Sequence, residues 1–179
     1  MIEQDFLLKD GRTALLRTPT EADAAQYLDL LKALAKETPF MLWEPAELDG
    51  FNAEDEAAFI RSMNANPAVQ MMVCEVDGTI AGEGRIVWDP RNRIRHRAQL
   101  LFGIRKDFWG RGIAGAMMDR IEAIAGENGI TRLELEVSAE NQRAINFYRR
   151  RGFQQTGTIP QALRYHDRTA DIHIMTRSL

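Results

Sequence analysis

The stretch that decides the fold is Arg105-Lys-Asp-Phe-Trp-Gly-Arg-Gly-Ile-Ala-Gly-Ala-Met-Met118, just past the middle of the chain. An apolar run that ends at Ile104 leads into it, which indicates a strand. Apolar residues at helical spacing follow the glycines, and they are Ile113, Met117, Ile121 and Ile124. The stretch is therefore predicted to be a glycine turn that connects a strand to an amphipathic helix.

This turn has the properties of an anion-binding cradle. Gly110 and Gly112 flank the start of the predicted helix, where the first N–H groups have no acceptor inside the helix and the dipole is positive. Such a site suits a phosphate or pyrophosphate. The Gly-Lys-Ser/Thr ending of a P-loop is missing. Gly110-Arg-Gly112-Ile-Ala-Gly115 has dinucleotide-fingerprint spacing, but it does not open an N-terminal doubly wound repeat. A phosphorylated cofactor of another kind is predicted.

Composition indicates one domain over residues 1–179, with 45% apolar and 27% charged residues. The net charge of −3 argues against a nucleic-acid-binding protein. No export signal or membrane-spanning apolar run is visible. The single cysteine, Cys74, lies in an apolar run and is predicted to be a small buried hydrophobic residue. These features predict a cytoplasmic protein.

The remaining pattern alternates strands and helices without repeats or linkers. Val69–Val76 and Thr79–Trp88 are predicted to form a hairpin around Asp77-Gly78. The other predicted elements are a hairpin over 2–17, helices from Thr20 to Lys36 and over 53–65, a strand over 98–104, a strand over 133–137, a helix from Asn141 to Arg151, and strands over 153–159 and 171–177. Residues 38–50 are predicted to be an irregular loop. The fold class is α/β (α+β): a mixed, mostly antiparallel sheet with flanking helices and a central parallel β-α-β unit.

Two blocks of sequence resemble the GNAT superfamily of N-acetyltransferases. The family's cofactor signature, Gln/Arg-x-x-Gly-x-Gly/Ala, falls on residues 109–114, where Trp109 replaces the first Gln or Arg. The downstream block Asn-x-x-Ala-x-x-x-Tyr-x-x-x-Gly-Phe is matched from Asn141 to Phe153. The resemblance covers the chain from about residue 69 to its end. It implies a GNAT-like fold and transfer of acetyl from acetyl-CoA to a primary amine, by direct attack in a ternary complex and without a metal.

The resemblance also implies roles for particular residues. The main chain from Gly110 to Gly115 would bind the CoA pyrophosphate, and the main chain of residues 102–104 would pair with the pantetheine amides like an added strand. Asn141 would contact the cofactor arm, and Tyr148 would be the general acid that protonates the CoA thiolate. From spacing alone, packing on the sheet is the stronger interpretation of Tyr148. The cofactor-binding residues expected from the resemblance are Phe102, Gly103, Ile104, Gly110, Arg111, Gly112, Ile113, Ala114, Gly115 and Asn141.

Several side chains are not assigned by the sequence. A general base could come from a set of strand carboxylates or a histidine, namely Glu75, Glu83, Glu134, Glu136 and His96. Arg91, Arg93, Arg95 and Arg97 alternate, which predicts an extended segment with one basic side. That side is either a solvated edge strand or a contact for an acidic partner or the cofactor 3′-phosphate. Trp43 and Trp88 either line the acceptor pocket or pack in the core.

The acceptor is left open between a small molecule and a protein N-terminus or lysine. Acceptor choice is expected to depend on the N-terminal helices and on loops near Trp43 and Gln161–Asp171. One rival hypothesis is a protein N-terminal acetylase, and another is a non-catalytic acyl-CoA-binding or sensing module. A third, RNA or ribosome docking through the Arg91–Arg97 segment, conflicts with the acidic net charge. No nucleic acid and no membrane are expected as partners, and a homodimer is left open.

Overall fold

The computed structural model describes residues 1–179, which form one eight-stranded sheet with five helices. The strands are β1 Glu3–Leu7, β2 Thr13–Arg17, β3 Val69–Val76, β4 Thr79–Trp88, β5 Arg97–Ile104, β6 Arg132–Ser138, β7 Gln154–Arg164 and β8 Thr169–Ser178. The helices are α1 Ala24–Glu37, α2 Pro45–Leu48, α3 Ala53–Ala65, α4 Ile113–Glu127 and α5 Gln142–Arg150. The predicted mixed fold is confirmed, and α2 is an addition within the predicted loop. None of the five helices is both long and apolar enough to cross a membrane.

Local sequence signals explain where several elements begin and end. The β3–β4 hairpin turns at Asp77 and Gly78, which both have positive φ as a two-residue turn requires. Asn52 caps α3 by accepting hydrogen bonds from the N–H groups of Glu54 and Asp55. Thr20 and Asp23 form a capping box before the 3₁₀ turn that leads into α1. These features confirm the predicted hairpin and the predicted starts of both helices.

The sheet is antiparallel except at one position near its centre. Its strand order is β1-β2-β3-β4-β5-β6-β8-β7, and only β5 and β6 run parallel, joined by α4 as a crossover. The predicted parallel pair is therefore confirmed. The pairing covers only Arg97–Gln99 against Arg132–Glu134, and beyond these residues the two strands separate. A cleft opens between their carboxyl ends.

Each face of the sheet carries its own hydrophobic core. Alternate β3 residues point to opposite faces, so Val73 packs with α1 and α3 while Met72 and Cys74 pack with α4. The face toward α4 carries the larger core, which includes Met117 and Leu133. Cys74 is fully buried as predicted, and burial raises the pKa of its thiol to about 12.

The prediction that residues 91–97 form an extended segment is wrong. Arg91, Arg93 and Arg95 lie in a turn, and only Arg97 belongs to a strand. The N–H groups of Ile94 and Arg95 both donate to the Arg91 carbonyl at 2.9 Å. The Asp89 carboxylate accepts from the Arg91 N–H and from its guanidinium, which starts the turn. The segment therefore presents no continuous basic edge.

Candidate active site

A continuous cleft of about 1800 Å³ runs through the opening between β5 and β6. One half is bounded by the glycine turn before α4, by β5 and β6, and by α5. The other half extends over the opposite face of β4 and β5 to α1, α3 and the loop before α3. The cleft therefore connects both faces of the sheet, so that two molecules could meet inside it from opposite sides.

The glycine turn forms the predicted anion cradle. Gly110 and Gly112 have φ values of 79° and 102°, in the left-handed region that favours glycine. The first main-chain bond of α4 runs from the Ala116 N–H to the Gly112 carbonyl, and the N–H groups of residues 110–115 have no acceptor in the chain. A Cβ placed on Gly110 or Gly115 would meet no protein atom within 4 Å. Unpaired N–H groups around open space at a helix N-terminus fit a pyrophosphate.

The β1–β2 turn holds this cradle in place. The Lys9 N–H donates to the Arg111 carbonyl at 3.0 Å, and the Arg111 guanidinium pairs with Asp10 at 2.8 Å. The Phe108 ring contacts both Arg12 and Arg111, whose guanidinium carbons lie 5.6 and 5.5 Å from its centroid. Arg111 therefore turns its side chain to the hairpin, and it is the one residue of the turn from Gly110 to Gly115 that does not line the cleft.

Trp109, which departs from the Gln/Arg-x-x-Gly-x-Gly/Ala signature, holds the side chain of Arg143 at the cleft. Its Nε1 donates to the Ile104 carbonyl at 2.7 Å. The Arg143 guanidinium stacks over the Trp109 ring, 3.7 Å from the centroid, and lines the cleft. Sequence reasoning did not single out Arg143. Its guanidinium therefore lies beside Trp109, the residue that directly precedes Gly110 of the cradle.

The register of β5 decides which main-chain groups face the opening. The Arg105 N–H donates to the Ala81 carbonyl, so odd-numbered residues of β5 direct their main-chain groups toward β4. Phe102 and Ile104 consequently direct theirs toward β6, where the strands have separated. Gly103 contributes close packing instead, because a Cβ there would lie 2.6 Å from Leu34 Cδ1.

Tyr148 and Asn141 occupy the wall of the cleft on α5. Asn141 caps the helix as predicted, with its Oδ1 accepting from the Ala144 N–H at 3.1 Å. Tyr148 is 7% exposed and packs edge-on against the rings of Phe102, Phe147 and Phe153. Burial raises the pKa of its hydroxyl. The residue both packs against the sheet and lines the cleft.

The structure shows which of the candidate general bases lie at the cleft. Glu75 pairs with Arg17, and Glu134 pairs with Arg97 on the neighbouring strand and with Arg132 on its own strand. His96 is exposed and does not line the cleft. Glu136 lines the cleft from an exposed position. Glu83 also lines it but is only 3% exposed, and these two carboxylates are the candidates that the fold brings to the cleft.

Glu83 sits in a protected environment on the face of β4 toward α1. The Tyr27 hydroxyl donates to Glu83 Oε2 at 3.2 Å. Burial raises the pKa of the Glu83 carboxyl. Nearby, Trp43 is 46% exposed and packs edge-on against Phe51 at a centroid distance of 5.1 Å. Trp43 lines the cleft, whereas Trp88 packs against the larger core.

Comparisons with known proteins agree with this geometry. The model of the acetyltransferase (GNAT) family matches residues 29–153. A relative described as an acetyltransferase from Yersinia pestis is 29% identical over 124 residues, covering 69% of this chain and 84% of the relative. A GNAT-family acetyltransferase structure from Streptococcus pneumoniae has a TM-score of 0.83 at 25% identity and covers 93% and 99% of the two chains.

A further solved structure shares the fold. It is a putative acetyltransferase from Salmonella typhimurium with its cofactor acetyl-CoA, and its TM-score is 0.77 at 17% identity, with 91% and 92% of the chains covered. The family match spans most of the chain, from α1 to the residue before β7. It includes both the glycine cradle and the helix that carries Tyr148. The chain therefore belongs to the acetyltransferase (GNAT) family.

Proposed function

We propose that the protein is an N-acetyltransferase that moves acetyl from acetyl-CoA to a primary amine, by direct attack within a ternary complex. The observation that carries this proposal is the run of unpaired N–H groups over residues 110–115, beside the opening between β5 and β6. The solved Salmonella typhimurium relative, whose fold is similar, holds acetyl-CoA. The reducing cytoplasm predicted from the sequence remains a prediction.

In the proposed complex, main-chain groups hold the donor. The cradle N–H groups bind the pyrophosphate, with the α4 dipole adding favourable charge. Main-chain groups of Phe102 and Ile104 bind the pantetheine arm as an added strand would, because β6 has moved away from them. Asn141 borders the same arm at the start of α5. Acetyl-CoA supplies the acetyl group as a reactive thioester.

The acceptor amine reaches the donor from the α1 side of the sheet. Glu83 is the group best suited to take the ammonium proton, since its raised pKa makes it a stronger base than an ordinary carboxylate. Placing the neutral amine next to the acyl carbon supplies much of the rate, because positioning replaces a bimolecular encounter.

Tyr148 is the proposed proton donor to the departing thiolate. Burial raises its pKa, so the hydroxyl stays protonated through the neutral range. Its ring is held by three aromatic neighbours, which orient the hydroxyl without a competing hydrogen bond from the chain. A general acid of this kind contributes about 10²- to 10⁴-fold in rate.

The test is thiol release from acetyl-CoA across a panel of small amines, amino acids and N-terminal peptides, with Tyr148→Phe measured beside the wild type. We expect turnover on one acceptor class and a fall in kcat of about 10²- to 10⁴-fold in the variant. The dissociation constant of acetyl-CoA should not change. Tyr165→Phe is the matched control, because Tyr165 lies outside the cleft.

Other outcomes would redirect the proposal. Tight binding of acetyl-CoA without turnover on any acceptor would support the acyl-CoA-binding or sensing module instead. Equal kcat values for Tyr148→Phe and the wild type would remove Tyr148 from the mechanism and leave it as a packing residue. No binding of acetyl-CoA would contradict the central proposal.

A further inference from the structure

The half of the cleft toward α1 and α3 contains charged side chains that form no salt bridge within the chain. Glu56, Glu83 and Arg85 all line this half, and none of them forms an ion pair. Elsewhere in the sheet the strand carboxylates Glu75 and Glu134 are held by arginines. The three unpaired groups therefore differ from the general pattern of this protein, in which internal charges neutralise one another.

The two carboxylates are buried without a cation. Glu56 is 5% exposed, and its Oε2 is buried without any hydrogen-bond partner. Glu83 is 3% exposed and has the Tyr27 hydroxyl as its donor. Burial raises the pKa of both carboxyls, and the charges of both act on Tyr27, whose pKa burial also raises. An unpaired buried carboxylate is destabilising, so a protonated amine bound there would relieve that cost.

Arg85 adds the opposite charge on the same surface. It follows Glu83 by two residues on β4, so both side chains leave the same face, about 6.6 Å apart along the strand. Its guanidinium lies over the Phe59 ring, 5.7 Å from the centroid, which orients it. Arg85 lies near enough to lower the pKa of Glu83, yet no N···O distance between them is within 4.0 Å. The N–H groups of the planar Arg85 guanidinium are thus free to donate to the carboxylate of a bound molecule.

Apolar groups surround these charges. The Trp43 and Phe51 rings meet edge-on at one side, and Phe59 underlies Arg85. The other apolar walls on this side are Leu31, Leu34, Phe40 and Met41. Such a surface accepts an apolar side chain. Asp55, in the first turn of α3, also lines the cleft, from an exposed position.

From this juxtaposition we infer that the acceptor is a free α-amino acid with an apolar side chain. Its ammonium binds at Glu83 and Glu56, its carboxylate binds at Arg85, and its side chain packs on the aromatic wall. A polyamine fits less well, because Arg85 would repel a second cation. A peptide N-terminus would present a neutral amide to Arg85 and leave the guanidinium unpaired.

This inference rests on the proposed acetyl transfer. In that reaction the amine nitrogen forms a bond to the acetyl carbon while the thioester C–S bond breaks. The bound ammonium first passes one proton to Glu83, which makes the nitrogen nucleophilic. After the attack the nitrogen loses a second proton to solvent, and the sulfur receives the Tyr148 proton. Tyr148 then regains a proton from solvent and Glu83 releases its own, so the net change is one proton released. The products are an N-acetyl amino acid, whose carboxylate is unchanged at Arg85, and free CoA. No oxidant or other co-reactant is needed.

The experiment compares acceptors that differ only in the carboxylate. L-Phenylalanine, L-phenylalaninamide and phenethylamine share a side chain and an amine, and L-leucine with its amide form a second matched set. We expect kcat/KM for the free acids to exceed that for the amides and the amine by about 10²-fold, as loss of a charged hydrogen-bonded pair implies. Amides or amines that react as well as the acids would overturn the inference, although turnover itself would still support acetyl transfer.

Variants of Arg85 test whether this residue causes the preference for free acids over amides. Arg85→Gln should raise KM for the free acids and abolish their advantage over the amides, with the KM for acetyl-CoA unchanged. Arg85→Lys keeps the charge without the fork and should retain part of the advantage. If both variants prefer the acids as strongly as the wild type does, Arg85 does not bind the carboxylate.

A binding measurement covers the case in which no acceptor turns over. Calorimetric titration of L-phenylalanine and phenethylamine into the wild type and Arg85→Gln reports the carboxylate contact without chemistry. Tighter binding of L-phenylalanine that disappears in the variant supports the inference, even if acetyl transfer fails. Equal binding of the two compounds by the wild type would overturn it.

Discussion

Gly112 offers the most direct test of the anion cradle, because its replacement by alanine perturbs only the main chain. The residue has φ 102° and ψ −9° and is exposed at the start of α4. A Cβ at this position would have Lys9 Cγ, at 3.9 Å, as its nearest neighbour, which is ordinary contact. The effect of Gly112→Ala is therefore backbone strain, which amounts to about 1–2 kcal/mol for a side-chain-bearing residue in the left-handed region.

This strain should appear in the binding of acetyl-CoA. An exposed turn can relax out of the left-handed region when the cradle is empty, but it must return to that region to direct its N–H groups at a phosphate. Strain of about 1–2 kcal/mol converts to a dissociation constant that is about 5- to 30-fold higher. Isothermal titration calorimetry of acetyl-CoA with Gly112→Ala and the wild type gives this ratio.

Two glycines at the far end of α4, one inside the helix and one just beyond it, supply matched controls. Gly129 has φ 66° and open space at its Cβ position, so Gly129→Ala carries similar strain far from the cradle and should lower stability without changing the dissociation constant. Gly126 lies inside α4, and Gly126→Ala should stabilise the helix by about 1 kcal/mol with no change in affinity. If Gly112→Ala binds acetyl-CoA as tightly as the two controls do, the cradle is not the phosphate site.

Two further predictions concern charged groups of the cleft. Arg143→Gln should weaken acetyl-CoA binding and make it less sensitive to salt, because it removes a cation stacked on Trp109. The dissociation constants of the variant and the wild type are measured at about 50 and about 300 mM salt, between which the Debye length changes by roughly twofold. An equal salt dependence for both proteins would contradict this prediction. Burial raises the pKa of Glu83 above its unfolded value of about 4.3, so the folded chain retains a proton that the unfolded chain releases, and stability falls as pH rises through this window. Glu83→Gln lacks that proton exchange, so urea unfolding should show the variant gaining stability relative to the wild type from about pH 4.3 upward until the folded pKa is passed. A difference that stays constant with pH would contradict the raised pKa.

Elements with local start and stop signals could be predicted from the sequence. The β3–β4 hairpin follows from Asp77-Gly78, and α3 follows from the cap at Asn52 and the stop at Asn66-Pro67. The cradle and the Asn141 cap belong to the same class, because each is formed within a few consecutive residues. Such features need no knowledge of the rest of the fold.

Elements that depend on distant contacts could not be predicted in the same way. Strand β7 continues past Ile159 because residues 163–164 pair with β8 after a register shift, although Pro160 suggests an end. The alternating arginines of residues 91–97 resemble an extended segment, but an aspartate–arginine contact bends the chain into a turn. In both places a longer-range or side-chain interaction overrides the local pattern.

The acceptor half of the cleft could not be predicted from the sequence for the same reason. Glu83 and Arg85 alternate along a strand, and that pattern is typical of a solvated sheet face. They are covered because α1, with Tyr27, packs over Glu83, and α3 places Phe59 against Arg85. The pairing of Trp109 with Arg143 also joins two elements that are distant in sequence.

In the proposed function, the glycine turn binds the pyrophosphate with main-chain N–H groups, which do not depend on the side chain. What it requires is a set of dihedral angles at Gly110 and Gly112, whereas the residues between and after them can differ as long as α4 begins at the same point. A binding site of this kind contains very little sequence information. Under the proposed function, the half of the cleft that binds the donor can thus persist while most of the chain diverges. The Streptococcus pneumoniae acetyltransferase, at 25% identity, shares the fold. If the side chains around Arg85 bind the acceptor as proposed, they can change independently of the main-chain site, and a new acceptor specificity requires no change in the proposed donor site.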